Sequence, residues 1–210
     1  MTWRQMPALA VKLLLLAWVV GGCSRPAPPP PLELPVYFTC DTQGRLEPCG
    51  CFAGQFGGLT RLKTVLDTEA STNALRMDVG DAIGGHEDYD LIEYRHVLRA
   101  FAAMHYDVLN LGGREAQFSA AQLRAIKTNS PVPILSANLI DKATGQPMFD
   151  SYRIVQRGAF RIGIIGVLDP RGLAESPGDG LAVSDMESAI NRSLAEMRGK
   201  TDLVILLAFT

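Results

Sequence analysis

The sequence predicts an α/β domain with a largely parallel sheet. Short β-prone runs alternate with amphipathic helical segments, which is the pattern of strands joined by crossover helices. One run, 160–168, is almost continuously apolar, as expected of a strand that is buried on both faces. The chain has 210 residues, of which 47% are hydrophobic and 20% charged, and this composition is typical of a folded protein rather than a disordered one.

The elements follow from local patterns. Apolar side chains at helical spacing, such as Leu59, Leu62 and Leu66, predict helices, and Ser119 is a plausible N-cap. Alternating or continuous apolar runs predict strands, and the run 203–209 reads as a buried one. The predicted order is strand 36–40, helix 58–70, strand 75–79, helix 89–105, strand 108–111, helix 119–127, strands 133–137, 152–156 and 160–168, helix 186–197 and strand 203–209.

Acidic residues follow several of the predicted strands. In parallel sheets, ligands gather at the carboxyl ends of the strands. Those ends are Asp41, Asp81, the turn 112–115, Asp169 and the segment 208–210. Two carboxylates at one sheet edge can bind divalent metal ions, and two such ions can clamp the oxygens of a phosphoryl group. The sequence therefore predicts a site at this edge, with an acidic pair in it.

Six segments of the chain occur in a distinctive order. They are TCDTQGRLE at 39–47, GGLTRL at 57–62, VGD at 79–81, YDVLNLGGRE at 106–115, PILSAN at 133–138 and RIGIIGV at 161–167. This order resembles the calcineurin-like metallophosphoesterases, and within them the 5′-nucleotidase branch. The resemblance implies a β-sandwich flanked by helices, a phosphoester or nucleotide substrate, and Mn²⁺, Zn²⁺ or Mg²⁺ as cofactor where the site is intact. It assigns Asp41 and Asp81 as metal-binding and catalytic residues.

The departures from the family pattern fall on the metal site. Gln43 stands where the family has a histidine, and Gly113-Arg114 stands where it has Asn-His. The last strand runs into Ala208-Phe209-Thr210 instead of a metal-binding histidine, and the family's distal Gly-x-His-x-His segment does not occur. Glu115 matches a family position that is not a ligand. We therefore expect a domain that is incomplete at its C-terminus, with impaired activity and with a metal-free site as one outcome.

Several side chains offer replacements for the lost ligands. Gln43 itself and His86, in the loop after Asp81, are alternative metal ligands, although an exposed loop histidine is the simpler interpretation of His86. Arg114 places a fixed positive charge near the site, which either repels a metal or binds phosphate in its place. His96 and His105 are predicted on opposite faces of one helix, so we expect neither to be a ligand.

Three cysteines lie beside the first strand of the site. Cys40 ends that strand, and Cys49 and Cys51 follow in the next loop. A disulfide from Cys40 to Cys49 or Cys51 suits an oxidising compartment. Thiolate binding of zinc or copper is the alternative, because paired thiolates favour these metals.

The first 35 residues predict a targeting signal followed by a spacer. Residues 1–22 carry Arg4 and Lys12, an apolar core and then small residues before Cys23, which resembles the lipobox of a bacterial lipoprotein signal peptide. An uncleaved anchor helix is the alternative. Residues 23–35 form a proline-rich linker, and 36–210 form the folded domain. The sequence thus predicts attachment to a membrane through a lipidated Cys23, on the extracytoplasmic face of a bacterial envelope.

The first functional hypothesis is therefore a lipid-anchored envelope protein of the metallophosphoesterase type, impaired or inactive. The alternatives are a non-catalytic protein that binds phosphate, a nucleotide or a partner, and a metal or redox module built on the cysteines. The formal net charge of −2 excludes the broad basic face of a non-specific nucleic-acid binder.

Overall fold

The computed structural model describes residues 33–48, 50, 56–69 and 72–210. The predicted signal peptide, Cys23 and nearly all of the linker, together with Cys49 and Cys51, lie outside these residues. From Leu34 to Thr210 the described chain forms one compact unit. Within the described ranges, no helix has both the length and the apolar character needed to cross a membrane.

The described residues form four α-helices and ten strands. The helices are α1 (Leu59–Glu69), α2 (Asp88–Ala103), α3 (Ala120–Asn129) and α4 (Met186–Met197). The strands are β1 (Val36–Thr39), β2 (Leu75–Asp78), β3 (Val108–Asn110), β4 (Ile134–Leu135), β5 (Leu139–Asp141), β6 (Gln146–Pro147), β7 (Tyr152–Arg157), β8 (Phe160–Leu168), β9 (Leu181–Val183) and β10 (Leu203–Phe209).

The strands assemble into three sheets. The first is four-stranded and parallel, in the order β1-β2-β3-β4. The second has the order β10-β8-β7, with β10 parallel and β7 antiparallel to β8. A small antiparallel sheet in the order β6-β5-β9 completes the set. The carboxyl ends of β1, β2 and β3 meet at one edge of the first sheet, which brings the loops after these strands together.

The two larger sheets pack face to face. One buried cluster joins side chains of the first sheet, such as Met77 and Val108, to side chains of the second, such as Ile164 and Leu207. A larger cluster packs α1, α2 and α3 on the outer face of the first sheet, and α4 packs on the second sheet through Ala189 and Met197. The layers are therefore helix, sheet, sheet and helix, because each sheet buries one face against its partner sheet and the other under helices.

This architecture confirms the predicted α/β class and the β-sandwich flanked by helices. Strand 160–168 has the predicted bounds and is buried from Ile162 onward. Ser119 is the N-cap of α3 and accepts a hydrogen bond from the Gln122 N–H. The short strands β5, β6 and β9 were not predicted.

Two local predictions are corrected. The strand 203–209 was expected to be buried, but β10 lies at the edge of its sheet and exposes Leu203, Val204 and Leu206. The apolar run predicted a strand correctly, but it could not show which face would be covered. The helix predicted over 89–105 ends at Ala103, so His105 lies beyond it in a left-handed conformation with φ 57°.

We expect Ile164→Ala to lower the free energy of unfolding by about 3 kcal/mol, because it opens a cavity between the two sheets. Ile164 is fully buried, whereas Ile154 on the neighbouring strand is 38% exposed and makes a matched control. Ile154→Ala should cost less than about 1 kcal/mol. Urea unfolding of both variants measures the difference, and equal losses would contradict the assignment of Ile164 to the inter-sheet core.

Candidate functional site

The loops after β1 and β2 are hydrogen-bonded to each other. The Asp41 N–H donates to the Gly80 carbonyl at 2.9 Å, and the Gln43 N–H donates to the Asp81 carbonyl at 3.2 Å. Asp41, Gln43 and Asp81 have φ values of 54°, 52° and 55°, in the left-handed region that residues with a side chain rarely adopt. Such strain costs about 1–3 kcal/mol per residue and persists only where the surrounding contacts enforce it. Here it brings the Asp41 and Asp81 carboxylates to one edge.

The buried carboxylate of Glu115 holds two loops of the same edge together through hydrogen bonds. Glu115 is fully buried and accepts hydrogen bonds from three backbone N–H groups: Asp81 at 3.1 Å, Ala82 at 2.6 Å and Gly112 at 2.9 Å. These donors belong to the loops after β2 and β3, so Glu115 fixes the two loops against each other. Burial raises the pKa of Glu115 to about 8, and the nearby charges of Asp81 and Asp78 act in the same direction.

Arg114 joins the two predicted metal-binding carboxylates. Its guanidinium Nη1 lies 2.7 Å from Asp41 Oδ1 and 3.3 Å from Asp81 Oδ2. Its backbone N–H also donates to Asp81 Oδ1 at 2.9 Å. The Gln43 amide nitrogen donates to both Asp41 oxygens, at 3.1 and 3.0 Å, and its carbonyl oxygen faces Arg45. Asp41, Asp81 and Arg114 therefore come together as the strand ends predict, but as an ion-pair network.

The charged groups of this network are paired with one another. Burial raises the pKa of Asp81, and the Arg114 contacts oppose that rise. The hydrogen bond to Asp41 raises the pKa of Arg114, so the guanidinium stays charged. With both carboxylates ionised, the three side chains carry a net charge of −1, and each charged group already has a partner.

The described side chains at this edge do not fit a metal ion. A bound divalent ion needs at least four ligands, but the described residues hold no group of three or more His, Cys, Asp or Glu side chains that could bind one. Gln43 turns its nitrogen, not its oxygen, toward Asp41, and His86 is exposed and belongs to no such group. At Gly113, a Cβ atom would lie 3.3 Å from the Phe209 ring and 3.4 Å from Leu173, so the edge is tight for a longer side chain there.

The remaining predicted residues lie away from this network or outside the described chain. Cys40 is exposed and forms no disulfide with another described residue. Because Cys49 and Cys51 are not among the described residues, the disulfide and the thiolate metal site both stay predictions. Asp169 pairs with Arg171 at 2.7 Å. His96, on α2, and His105 belong to no described group that could bind a metal. Because part of the chain lies outside the described residues, their predicted non-ligand role stays a prediction.

Two buried polar groups support this edge, and neither was predicted from the sequence. Asp78 is buried, accepts a 2.5 Å hydrogen bond from the Thr39 hydroxyl, and has its pKa raised to about 7 by burial. Asn110 donates from its amide to the carbonyls of Val79 at 2.9 Å and Val167 at 3.1 Å, which links the two sheets. The polar Asn110 after two apolar residues of its strand is a signal that could have identified it, whereas the polar-apolar alternation of residues 75–79 gave no such signal for Asp78.

Comparison with known proteins supports this reading of the fold. The chain is 27% identical over 190 residues to a 5′-nucleotidase of Vibrio cholerae, covering 85% of this chain and 33% of that protein. It is also 27% identical over 164 residues to a 2′,3′-cyclic-nucleotide 2′-phosphodiesterase/3′-nucleotidase of Yersinia enterocolitica, covering 67% of this chain and 25% of that protein. The chain thus spans about a third or less of the length of these relatives. No protein-family model matches the sequence.

Solved structures show the same fold. A 5′-nucleotidase precursor from Thermus thermophilus superposes with a TM-score of 0.69 at 24% identity, over 83% of this chain and 36% of that one. A calcineurin-like phosphoesterase from Bacillus subtilis gives 0.67 at 21% identity, over 84% of this chain and 62% of that one. The resemblance to the metallophosphoesterases and their 5′-nucleotidase branch is confirmed by these sequence relatives and by the fold.

We expect the free energy of unfolding to fall as the pH rises from about 5 to about 8. The pKa values of Asp78 and Glu115 are raised to about 7 and about 8 in the folded protein, above their unfolded values near 4. The stabilisation is therefore complete below pH 4 and is lost as the pH passes through the folded values. Each tenfold difference in proton affinity corresponds to about 1.4 kcal/mol.

Urea unfolding at a series of pH values measures this slope. Asp78→Asn should make the decline shallower, because one of the two raised carboxylates is gone. Asp67→Asn, which replaces an exposed carboxylate on α1, is the matched control and should leave the slope unchanged. A stability that increases between pH 5 and 8 in the unaltered protein would contradict the expectation.

Proposed function

We propose that this relative of the metallophosphoesterases and 5′-nucleotidases is the phosphoesterase-fold domain of a lipid-anchored bacterial envelope protein, and that its metal-dependent phosphoester hydrolysis is impaired or lost. The observation that carries the proposal is the position of the Arg114 guanidinium, within ion-pair distance of both Asp41 and Asp81. These are the two carboxylates that the family resemblance assigns to metal binding.

The ion pairs and a metal compete for the same oxygens. Arg114 takes Asp41 Oδ1 and Asp81 Oδ2 with its side chain and Asp81 Oδ1 with its backbone N–H. Its guanidinium cannot lose its proton at physiological pH, so it remains a cation in that place. A divalent ion would first have to displace it, and would then find two carboxylates where a stable site needs four or more ligands.

Phosphate binding by Arg114 is less well supported. A guanidinium is a good partner for phosphate when its donors are free. Here the positive charge is neutralised by two carboxylates, and the network as a whole is negative, so an approaching anion is repelled unless Asp41 moves away. The geometry therefore favours a closed, non-hydrolytic site over a phosphate site at this edge.

Hydrolysis of a nucleotide is the second candidate function. It is favoured by the names of the sequence relatives, several of which are 5′-nucleotidases. These proteins are about three times as long as this chain. Their activity is therefore that of a protein of which this chain matches only about a third. The two candidates differ in one measurable property, which is whether the folded chain binds a divalent metal.

The membrane attachment rests on the sequence of residues 1–35. Basic residues, an apolar core and Gly21-Gly22 precede Cys23, in the order of a lipoprotein signal. Two or more acyl chains on Cys23 would anchor the protein stably, since each buried CH₂ contributes about 0.8 kcal/mol. The proline-rich residues that follow would act as a semi-rigid spacer between the bilayer and the folded domain.

We expect the purified chain to bind no stoichiometric Mn²⁺ or Zn²⁺ and to hydrolyse nucleoside monophosphates no faster than Asp81→Asn. Arg114→Gln should create a weak metal site, with a Kd of about 10⁻³ M, because both carboxylates lose their cation. Arg161→Gln, which breaks a surface ion pair with Asp202, is the matched control and should leave metal binding unchanged. Calorimetric titration and a phosphate-release assay make these measurements.

The opposite outcome is equally distinct. Stoichiometric metal in the unaltered chain, together with turnover that Asp81→Asn abolishes, would contradict the proposal of an impaired site and would favour nucleotide hydrolysis.

We expect Cys23→Ser to move the protein from the membrane fraction to the soluble fraction of a bacterial host and to abolish incorporation of a labelled fatty acid. Cys40→Ser is the matched control, because Cys40 lies in the folded domain, and it should leave both properties intact. Retention of the label in Cys23→Ser would refute lipidation at this residue.

A further inference from the structure

A cavity with several charged residues in its lining lies at the opposite end of the first sheet from Asp41 and Asp81. Its volume is about 430 Å³, and its lining includes Thr72, Arg76, His105 and Arg157, with Asp67 at the side. Arg76 is near the start of β2, whereas Asp81 follows the end of that strand. The cavity is therefore separate from the network around Arg114, and no family resemblance assigns a role to it.

The buried guanidinium of Arg76 forms no ion pair with a carboxylate of the described residues, although its backbone N–H donates to Asp107 Oδ2 at 3.0 Å. Arg76 is only 9% exposed, and among the side chains that the structure describes, none with a negative charge comes within ion-pair distance of its guanidinium. Its Nη1 donates to the Met104 carbonyl at 2.5 Å, just past the end of α2. Its other guanidinium nitrogens have no hydrogen-bond acceptor in the described chain.

The helix end compensates this charge only in part. The carbonyl end of a helix acts as about half a negative charge and contributes at most about 2 kcal/mol. Removing an unpaired ion from water costs several kcal/mol. The charge of Arg76 is therefore only partly compensated, and its remaining N–H donors lack acceptors among the described residues. An anion bound in the cavity would supply both a negative charge and acceptors.

The other charges around the cavity are already matched. Arg157 pairs with Asp107 and donates to the Gln156 carbonyl at 2.9 Å. Asp67 pairs with Lys63 at 2.6 Å. These two pairs cancel, so the surplus is the single positive charge of Arg76. Thr72 and His105 also line the cavity, and their side chains can donate hydrogen bonds to an anion.

We propose that this cavity binds an oxyanion of the phosphate or sulfate class, held by Arg76 together with Thr72 and His105. The planar guanidinium offers parallel N–H groups at the spacing of two oxygens on one phosphorus or sulfur atom. The volume accommodates a free oxyanion or the phosphoryl group of a small organic molecule. The site does not depend on the function proposed for the Arg114 edge.

Titration calorimetry on the full chain tests this, with sodium phosphate, sodium sulfate and AMP as probes and chloride as the reference at constant ionic strength. We expect saturable binding of one anion per chain, weakened at least tenfold in Arg76→Gln and less in Arg76→Lys. Arg114→Gln and Arg161→Gln are matched controls, and both should leave the affinity unchanged. Tighter binding of AMP than of phosphate would identify an organic phosphoryl group as the ligand, and the reverse order a free anion.

A second measurement covers the case in which Arg76→Gln does not fold. Phosphate should raise the Tm of the unaltered chain above its value in chloride, and Thr72→Ala with His105→Ala should reduce that increase. The proposal is overturned if neither phosphate, sulfate nor AMP binds to the unaltered chain, since Arg76 would then act only as a cap of α2. It is also overturned if binding persists in Arg76→Gln or is lost in Arg114→Gln.

Discussion

The interaction on which the candidate site depends is the buried carboxylate of Glu115. It accepts three backbone N–H groups from the loops after β2 and β3, and no other described side chain bonds both loops in this way. Backbone N–H groups left unpaired in a buried edge would each cost about 1–3 kcal/mol. Glu115 removes that cost at three positions together, and it thereby allows Asp81 to keep a left-handed backbone with its carboxylate facing the Asp41 loop.

At the same edge, the family's fold is kept while an arginine lies between the two carboxylates. Two carboxylates facing each other repel, and a family site relieves that repulsion with divalent ions. In this chain Arg114 supplies the positive charge from within the protein, and its backbone N–H adds a further bond to Asp81. The ion pairs stabilise the arrangement of the edge, and Arg114 contacts three of the four oxygens of the two carboxylates.

The sequence predicted the architecture well because the signals for it are local and repeated. Strand 160–168 and the N-cap Ser119 were identified from periodicity and from one residue type, and the structure has both. The exposure of β10 could not be predicted, since an apolar run does not reveal what covers it. At the site, the positions of Asp41 and Asp81 followed from parallel strand ends. The direction of the Arg114 side chain did not, because repelling a metal and binding phosphate are both consistent with a cation there.

Two arginines at opposite ends of the first sheet illustrate why charge alone does not identify a binding site. Arg114 lies between two carboxylates that compensate its charge, so its position near the predicted active edge does not by itself show anion binding, and its phosphate-binding role stays a prediction. Arg76 is more deeply buried, its guanidinium has one carbonyl acceptor and no ion pair with a described carboxylate, and the cavity that it lines also contains Asp67, which pairs with Lys63. An anion gains most where the protein has left a desolvated charge unmatched. By that criterion, the oxyanion site of this domain belongs at the start of β2 and not at the edge where its relatives would place their chemistry.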